Sequence, residues 1–561
     1  MLVKGIALQA CEAEGACAAR VLSKKLAERN IKIEDGGYRL SFVYDEALEP
    51  DTFCLSATEE ECTVSAVGRL GFLSGAGHLL RGAEFAEGGV RLSPKTESLT
   101  LHAQVRGMYL ASHFHNYYHV ASLKEITGYL EDLALLGVNW IMLCYPFIDL
   151  ADAECEEARA ELARHKKIIT AAHGLGIRCC EILSANMGFL NYPERLGAKK
   201  NHDPLGRRAD TGPTLCMALP ESRELIDKVN RYLCEGLLDC GLDMAMTWPY
   251  DEGGCGCEQC APWGASGFLR SSKRAFEIAR SYFPEIKRCV STWCFDTPEE
   301  GEWRALDASL RQEKWCDYIL ADSHTDFPAY PLEHDFGGVK LLNFPEISMW
   351  GLYPWGGWGA TMLPDRICRL YQQTCGKISG GFPYSEGIYH DVNVAVVLQI
   401  YRDGQAAAPS ALRQYARYEF GLNDPEPFLE LVRCIEKTHT SVAEIGFCDL
   451  ADAERAFALA EEINRTLPAW GRECWRWRII YLRAMIDARR YRIAAAKTKS
   501  GIKIGNEHGL TASEWEVWLK EDTKIRAGFG ELVEIFHCRP KADCDSLHGR
   551  VRPVLDAVPE G

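Results

Sequence analysis

The stretch with the clearest potential for chemistry runs from residue 243 to residue 260, where an apolar segment ends in Asp251, Glu252 and a glycine pair. Paired acids at the carboxyl end of a buried strand are costly to keep near a core unless they do chemistry. Barrel enzymes place their catalytic groups at these strand ends. Two further apolar segments end in the same way, in Glu346 and in Glu386. Three such glutamates indicate acid/base chemistry on a sugar.

Cleavage of a glycosidic bond needs a carboxylic acid that protonates the leaving oxygen. A second carboxylate acts as nucleophile or base, unless the substrate supplies its own nucleophile. We predict Glu252 as the general acid/base, because the glycines that follow it let the backbone approach a ligand. For the second carboxylate we prefer Glu346 over Asp251, which would act only by assisting an acetamide of the substrate. Glu386 is predicted as a substrate-binding or alternative catalytic group.

Polar and aromatic side chains at the other predicted strand ends suit the binding of a sugar. Flat aromatic rings stack on the apolar face of a sugar, while carboxylates, Asn and His bind its hydroxyl groups. The predicted substrate-binding residues are His113, His115, Asn116, Glu181, Trp248, Tyr250, Trp293, Asp322, His324, Trp350, Trp355 and Tyr384. Packing of the tryptophans within a loop is the structural alternative. Neither a P-loop nor a G-x-G-x-x-G motif after a strand is present, which disfavours phosphoryl transfer.

Cys255, Cys257 and Cys260 form a C-x-C-x-x-C motif directly after the acidic pair. The spacing suits three thiolate ligands of zinc, and a fourth ligand from elsewhere would complete the site. The preferred interpretation is nevertheless a compact, thiol-lined turn, because the chain has 24 cysteines and no fourth local ligand. No cofactor and no catalytic metal are predicted.

The elements that must position these residues begin at Arg106, where the pattern changes to alternating strands and helices, as in a parallel sheet. Ser122 and Glu125 form a capping box that starts the first of these helices. The predicted strands cover residues 106–111, 139–145, 177–183, 243–248, 288–293, 318–321, 339–344 and 380–384. They predict an α/β fold, a (β/α)₈ TIM barrel over residues 103–404, whose strand ends converge on one mouth.

Two further domains are predicted to flank the barrel. Residues 1–102 should form a small noncatalytic α/β domain with a helix over 68–81 and a hairpin turn at Gly88-Gly89. Beyond residue 405 the strand signals stop, which predicts a helical C-terminal domain over 405–561. Its predicted helices cover residues 408–420, 427–440, 451–465, 472–496 and 512–536.

The bulk properties exclude several classes of function. With 47% hydrophobic and 25% charged residues, the 561-residue chain resembles a soluble globular protein of several domains. Its net charge of -16 argues against nucleic-acid and membrane partners. We find no export signal and no run near the ~18 apolar residues of a membrane span. Together with cysteines inside apolar strands, this predicts a cytoplasmic location, and homo-oligomerisation stays open.

Several segments resemble a group of glycoside hydrolases. The segment 52–85, with Val67-Gly-Arg-Leu-Gly-Phe-Leu-Ser-Gly at its centre, resembles the noncatalytic N-terminal domain of glycoside hydrolase family 20. Related domains precede the barrels of families 67, 84 and 89. Arg106-Gly-Met-Tyr-Leu and Leu136-Gly-Val-Asn-Trp resemble the start of the barrel in the same enzymes. The resemblance implies the order of small α/β domain, catalytic barrel and helical domain.

Asp251-Glu252 resembles the Asp-Glu pair of family 20, in which Asp orients the acetamide of the substrate as nucleophile and Glu is the general acid. The family's glycines precede the acids, whereas here they follow them. In the family 89 pattern, glutamates after strands 4 and 7 act as acid/base and nucleophile. Glu252 and Glu346 would fill these two places.

Residues and resemblance together predict an exo-acting glycoside hydrolase that cleaves a terminal sugar, an N-acetylhexosaminide or a related amino or acidic sugar. A first alternative is a carbohydrate-binding protein on a degenerate barrel, which would bind a sugar without turnover. A second alternative is a metal-dependent sugar lyase or isomerase that uses His113, His115, Glu181 and His324.

Overall fold

The computed structural model describes residues 2–10, 12–86, 88–112, 118, 121–199, 214–250, 254–324, 326–347, 360–374, 376–385, 390–438 and 450–499. Before the barrel, its strands are β1 (Leu2–Val3), β2 (Gly5–Ala10), β3 (Lys32–Ile33), β4 (Tyr38–Tyr44), β5 (Thr52–Ala57), β6 (Glu61–Ala66), β7 (Glu84–Ala86), β8 (Gly89–Arg91) and β9 (Lys95–Thr100). The helices of this region are α1 (Ala13–Ala27) and α2 (Gly68–Arg81). The predicted helix over 68–81 and the hairpin formed by β7 and β8 are confirmed. The predicted turn at Gly88-Gly89 is displaced, because Gly89 already belongs to β8 and pairs with Ala86.

The N-terminal strands form two sheets. A six-stranded mixed sheet has the order β3-β2-β4-β6-β5-β9, and β1, β8 and β7 form a small antiparallel sheet. Both helices contact the larger sheet, α1 through β2 and β4 and α2 through β5 and β6. The region therefore has the predicted α/β architecture, with two helices packed on the larger sheet.

A closed parallel barrel follows. Its strands are β10 (Val105–Leu110), β11 (Trp140–Cys144), β12 (Arg178–Leu183), β13 (Met244–Thr247), β14 (Lys287–Ser291), β15 (Tyr318–Ser323), β16 (Lys340–Pro345) and the eighth strand, split into β17 (Ile378–Gly381) and β18 (Tyr384–Ser385). Neighbours in sequence pair in parallel, and β10 closes the ring by pairing with β11, β17 and β18. The predicted TIM barrel is confirmed.

Helices surround the barrel between its strands. They are α3 (Leu123–Leu135), α4 (Glu156–Gly174), α5 (Pro220–Gly236), α6 (Gly267–Tyr282), α7 (Glu302–Gln312), α8 (Ala329–Glu333), α9 (Pro364–Thr374) and α10 (Asp391–Asp403). The predicted capping box starts α3: the Glu125 backbone N–H donates to Ser122 Oγ, and the Ser122 N–H donates to the Glu125 carboxylate. This exchange satisfies two amide groups that a helix start otherwise leaves without partners.

The neighbouring strands approach the eighth strand closely at two glycines of β17. Gly380 has a φ of 122°, and a Cβ there would lie 1.8 Å from the carbonyl oxygen of Val105. A Cβ on Gly381 would lie 2.2 Å from the carbonyl oxygen of Asn343. Only glycine fits between β10 and β16 at these positions. The same glycines weaken the strand signal of this segment in the sequence.

Helices continue after the barrel as α11 (Ala408–Phe420), α12 (Glu426–Thr438), α13 (Leu450–Thr466), α14 (Ala469–Glu473) and α15 (Trp475–Lys499). Four predicted helices are thereby confirmed, and the fifth, at 512–536, lies outside the described residues. The buried Arg476 joins this region to the barrel, since its guanidinium contacts Asp391 at 2.6 Å and Asp132 at 2.9 Å. The exact domain boundaries stay a prediction. Within the described part, no helix is long and apolar enough to span a membrane.

Candidate active site

Half of the predicted site residues can be placed at the barrel. Glu181, Trp248, Tyr250, Trp293, Asp322, His324, Glu346 and Tyr384 belong to the described part of the chain. The others lie outside the described residues: His113, His115, Asn116, Asp251, Glu252, Trp350, Trp355 and Glu386.

Glu346 follows the last residue of β16 and marks the mouth of the barrel, where the carboxyl ends of the strands meet. Its backbone forms a parallel bridge with Tyr384 at the eighth strand, and only 2% of the residue is exposed. Its Oε2 lies 3.5 Å from Nδ1 of His324, which follows β15. A buried carboxylate is costly unless polar groups support it, so this position indicates a function at the mouth.

Two residues that the sequence did not single out hold the backbone around Glu346. The guanidinium of Arg366, on α9, donates hydrogen bonds to the carbonyl oxygens of both Glu346 and His324. Asn393, on α10, donates from Nδ2 to the carbonyl of Ile347 at 2.9 Å. The sequence could have indicated Asn393, because it is a polar residue within the apolar first turns of α10. No comparable pattern in the sequence marks Arg366.

The Arg366 side chain is itself buried and fixed. Burial lowers the pKa of Arg366 to about 10, because the guanidinium loses hydration, and the negative charge of Glu346 opposes this shift. The side chain therefore remains a cation at neutral pH. On the first turn of α9, the backbone N–H groups of Asp365 and Arg366 each donate to the Glu436 carboxylate at 3.1 Å. Helix α9 is thus anchored on α12, and Arg366 links this anchor to the ends of β15 and β16.

Arg366→Lys should lower kcat while changing KM much less. A lysine ammonium lacks the planar fork that reaches two carbonyl oxygens at once. Displacement of a catalytic group by about 1 Å costs on the order of 10²-fold in rate, so we expect a loss of roughly 10- to 100-fold. Steady-state kinetics would measure it. Arg369→Lys is the matched control, because Arg369 lies on the same helix with half of its side chain exposed and pairs with Asp326. Equal kinetics for both variants would contradict the positioning role of Arg366.

Aromatic side chains form the base of the mouth, here called the aromatic floor. Its ring centroids lie 5.1 Å apart for Trp248 and Phe344 and 5.3 Å apart for Tyr109 and Tyr384. Trp293 packs against both Trp248 and the His324 ring. The Trp248 side chain is half-buried, whereas the other rings of the floor are buried. Of the two indoles in the aromatic floor, Trp248 is therefore the better placed to offer its face to a ligand.

The chain is fixed on both sides of the acidic pair. On one side, the Tyr250 hydroxyl donates to the buried carboxylate of Glu302, which also accepts from the backbone N–H of Gly264 at 2.7 Å. On the other side, Asn186 donates to the carbonyl of Gly254 at 2.9 Å and accepts from its N–H at 3.1 Å. Tyr250 and Asn186 thus anchor the segment that carries the pair.

The remaining described residues divide between the mouth and the outside of the barrel. Asp322 orients the chain after β15, since its Oδ1 accepts from the backbone N–H of His324 at 2.8 Å. Glu181, in contrast, is fully buried and accepts from the Tyr145 backbone N–H at 3.0 Å. Its Oε2 lies 3.9 Å from Nε2 of His165 on α4. The Glu181 carboxylate therefore faces the helix layer, which is the position of a structural ion pair.

Burial raises the pKa of Glu181 to about 7, and the charge of His165 opposes the shift. Burial alone would lower the pKa of His165, because it disfavours the protonated imidazole. The Glu181 and Glu161 carboxylates outweigh this effect and raise the pKa to about 9. Because the pKa of His165 in the folded state lies above the unfolded value of about 6.5, the folded protein retains this proton to a higher pH than the unfolded chain does.

His165→Gln should therefore change the pH dependence of stability. The contribution of protonated His165 is fully present below pH 6.5 and is lost as the pH rises through 9. We expect the free energy of unfolding of the wild-type protein to fall relative to the variant by roughly 1–3 kcal/mol over this window. Urea unfolding at several pH values would measure the difference. Parallel curves for the two proteins would contradict the elevated pKa.

Among the residues that the structure describes, neither Glu181 nor His324 belongs to a group of metal-ligand side chains close enough to share an ion. The described part of the mouth offers a buried carboxylate, an adjacent imidazole and an aromatic surface. These groups suit the stabilisation of a developing positive charge on a sugar ring and the stacking of that ring.

No protein-family model and no curated protein sequence matches the chain. Among solved structures, the chain is similar to CpGH89 from Clostridium perfringens in complex with its substrate GlcNAc-alpha-1,4-galactose. The TM-score is 0.61 at 10% identity, and the alignment covers 92% of this chain and 64% of that one. It is also similar to a GH138 enzyme targeting pectin rhamnogalacturonan II, with a TM-score of 0.53, 11% identity and coverage of 95% and 74%.

A third similar structure is the GH20 exo beta-N-acetylglucosaminidase from Vibrio harveyi in complex with N-acetylglucosamine. Its TM-score is 0.50 at 11% identity, with 77% of this chain and 74% of that one covered. At such identities the similarity shows a shared fold. The architecture expected from the resemblance to families 20 and 89 is thereby confirmed.

Proposed function

We propose that this protein is an exo-acting glycoside hydrolase in which Glu346 is the nucleophile and Glu252 the general acid/base. The observation that carries the proposal is the buried Glu346 carboxylate at the end of β16. It lies 3.5 Å from His324, and Trp293 of the aromatic floor packs against the same imidazole. A carboxylate held in this way at the mouth of a barrel suits attack on an anomeric carbon.

The reaction would proceed in two steps with net retention of the anomeric configuration. Glu346 attacks the anomeric carbon while the Glu252 carboxyl gives its proton to the leaving oxygen, so that a glycosyl ester forms and the aglycone leaves as an alcohol. Glu252 then takes a proton from water, whose oxygen attacks the same carbon and releases Glu346. Arg366 and Asn393 hold the backbone of Glu346 and Ile347 during both steps.

The proposed substrate is a terminal N-acetylhexosaminide or a related amino or acidic sugar. The resemblance of the Asp251-Glu252 pair to family 20 supports this choice, and two of the similar structures were solved with GlcNAc-containing ligands. With an acetamide substrate, Asp251 could replace Glu346 by orienting the acetamide as nucleophile. The cytoplasmic location and homo-oligomerisation stay predictions from the sequence.

A screen of aryl glycosides in both anomeric configurations, with NMR detection of the first product formed, tests the proposal. Release of a sugar with retained configuration is the expected result. Inversion would contradict the nucleophile role of a carboxylate in covalent catalysis. Binding of the sugars without turnover would indicate the carbohydrate-binding alternative, and an unsaturated or isomerised product would indicate the lyase or isomerase.

Trp248→Ala should raise KM roughly 2- to 10-fold with a smaller change in kcat, because the loss of aromatic stacking is worth roughly 0.5–1.5 kcal/mol. Trp248→Phe is the matched control, since it keeps a flat ring at the same position. Steady-state kinetics on the best substrate of the screen would measure both variants. An unchanged KM in the alanine variant would show that Trp248 only packs against its neighbours in the aromatic floor.

A further inference from the structure

Four cysteine sulfurs converge beside the segment that carries the acidic pair. The four-cysteine cluster consists of Cys216, Cys255, Cys257 and Cys260, whose sulfur atoms all lie within 4.8 Å of one another. The Sγ atoms of Cys216 and Cys257 are 3.6 Å apart. Four thiolates around a tetrahedral zinc, with Zn–S distances near 2.3 Å, lie roughly 3.8 Å from each other. Sulfurs in a disulfide are only about 2.05 Å apart, so the cluster has the spacing of metal ligands.

The four ligands come from two separate parts of the fold. Cys255, Cys257 and Cys260 lie in the turn between β13 and α6, and Cys216 lies in the connection between β12 and α5. This connection is itself fixed, because the backbone N–H of Leu215 donates to the carbonyl of Asn186 at 2.9 Å. Cys216 supplies the fourth ligand that the C-x-C-x-x-C motif lacks in sequence. Two connections brought together by four thiolates are typical of a closed, structural zinc site.

The four sulfurs are shielded from water, as in a closed structural metal site. Cys255 and Cys260 are fully buried, and Cys216 and Cys257 are nearly so. The backbone also orders the turn: the N–H groups of Cys260 and Ala261 both donate to the carbonyl of Cys257 at 2.9 Å, and the Gly256 N–H donates to the carbonyl of Lys199 at 2.9 Å. Such backbone bonds around the ligands help to fix their positions.

We propose that the four-cysteine cluster binds one zinc ion as a structural site. The ion would join the connection after β12 to the one after β13. Only residues 251–253 separate Tyr250, whose hydroxyl is bound to Glu302, from Gly254 and the first ligand, Cys255. The zinc therefore fixes the carboxyl-terminal end of the segment that carries Asp251 and Glu252. The site stands on its own geometry and does not depend on the proposed reaction.

Metal analysis of the full-length chain tests the site without any activity measurement. Protein expressed with zinc in the medium should carry about one zinc per chain. Cys216→Ser is the most diagnostic variant, because Cys216 lies outside the C-x-C-x-x-C motif. This variant should lose most of the zinc. Cys434→Ser is the matched control: Cys434 is 6% exposed, close to the 7% of Cys216, but lies on α12. This variant should keep the wild-type zinc content.

Two further measurements keep the proposal falsifiable if Cys216→Ser does not fold. Cobalt added to the metal-free wild-type chain should give the intense absorption of tetrahedral thiolate coordination. A strong chelator should lower Tm, and added zinc should restore it, because a metal that binds only the folded state stabilises it. A wild-type chain that carries no zinc, takes up no cobalt and shows no change in Tm would overturn the proposal and leave a thiol-lined turn. That outcome would not affect the proposed hydrolysis, which the glycoside screen tests separately.

Discussion

Glu346→Gln should lower kcat/KM by roughly 10²- to 10⁴-fold or more, because loss of a group that acts in the transition state typically costs about that much. The substitution keeps the volume of the side chain and a polar group near His324, while the amide cannot attack an anomeric carbon. The backbone contacts of Glu346 with Arg366 and Tyr384 involve no side-chain atom of Glu346 and should persist. We therefore expect an unchanged far-UV circular dichroism spectrum and a small change in Tm.

Azide distinguishes a nucleophile from a merely buried carboxylate. In Glu346→Ala, the space left by the side chain admits azide, and turnover with an activated aryl glycoside should recover and yield a glycosyl azide of inverted configuration. Glu131→Gln is the matched control. Glu131 is equally buried at 2% exposure, but its carboxylate pairs with Arg20 and Lys24 outside the barrel mouth. It should lose stability and keep turnover. Full activity of Glu346→Ala would end the nucleophile assignment.

Local patterns in the sequence were sufficient for the barrel. The apolar strands, the capping box at Ser122 and the helix over 68–81 each follow from neighbouring residues, and the structure confirms them. The eighth strand was harder to recognise, because Gly380 and Gly381 are required by the close approach of β10 and β16. Glycine therefore weakens the strand pattern of the sequence at the positions where the fold requires a glycine.

The sequence could not identify groups that act through tertiary contacts. Arg366 binds two carbonyl oxygens on other elements, and such contacts leave no pattern around residue 366. Cys216 joins the C-x-C-x-x-C motif only because the connections after β12 and β13 are neighbours in the barrel. Glu181 was predicted at the mouth because it lies on the third strand of the barrel. Both faces of a parallel strand are apolar, so the sequence does not tell which face a residue occupies.

Glu252→Gln should impair hydrolysis in proportion to how poorly the leaving group departs. With natural glycosides, whose alcohol needs a proton in order to leave, we expect a loss of roughly 10²–10⁴-fold. With an aryl glycoside whose phenol leaves readily, the first step no longer needs the acid, and the loss should be much smaller. The basic limb of the pH–rate profile should also disappear, because that limb reports ionisation of the acid.

The matched control is Glu258→Gln, since Glu258 is an exposed glutamate in the neighbouring cysteine turn and should tolerate the change. Asp251→Asn separates the two candidate partners of Glu252. If an acetamide of the substrate is the nucleophile, this variant should fail with N-acetylated substrates while Glu346→Gln remains active. If Glu346 is the nucleophile, Glu346→Gln should fail and Asp251→Asn should remain active. An equal loss for good and poor leaving groups in Glu252→Gln would contradict its role as the acid, because an acid matters only as much as the departing oxygen requires a proton.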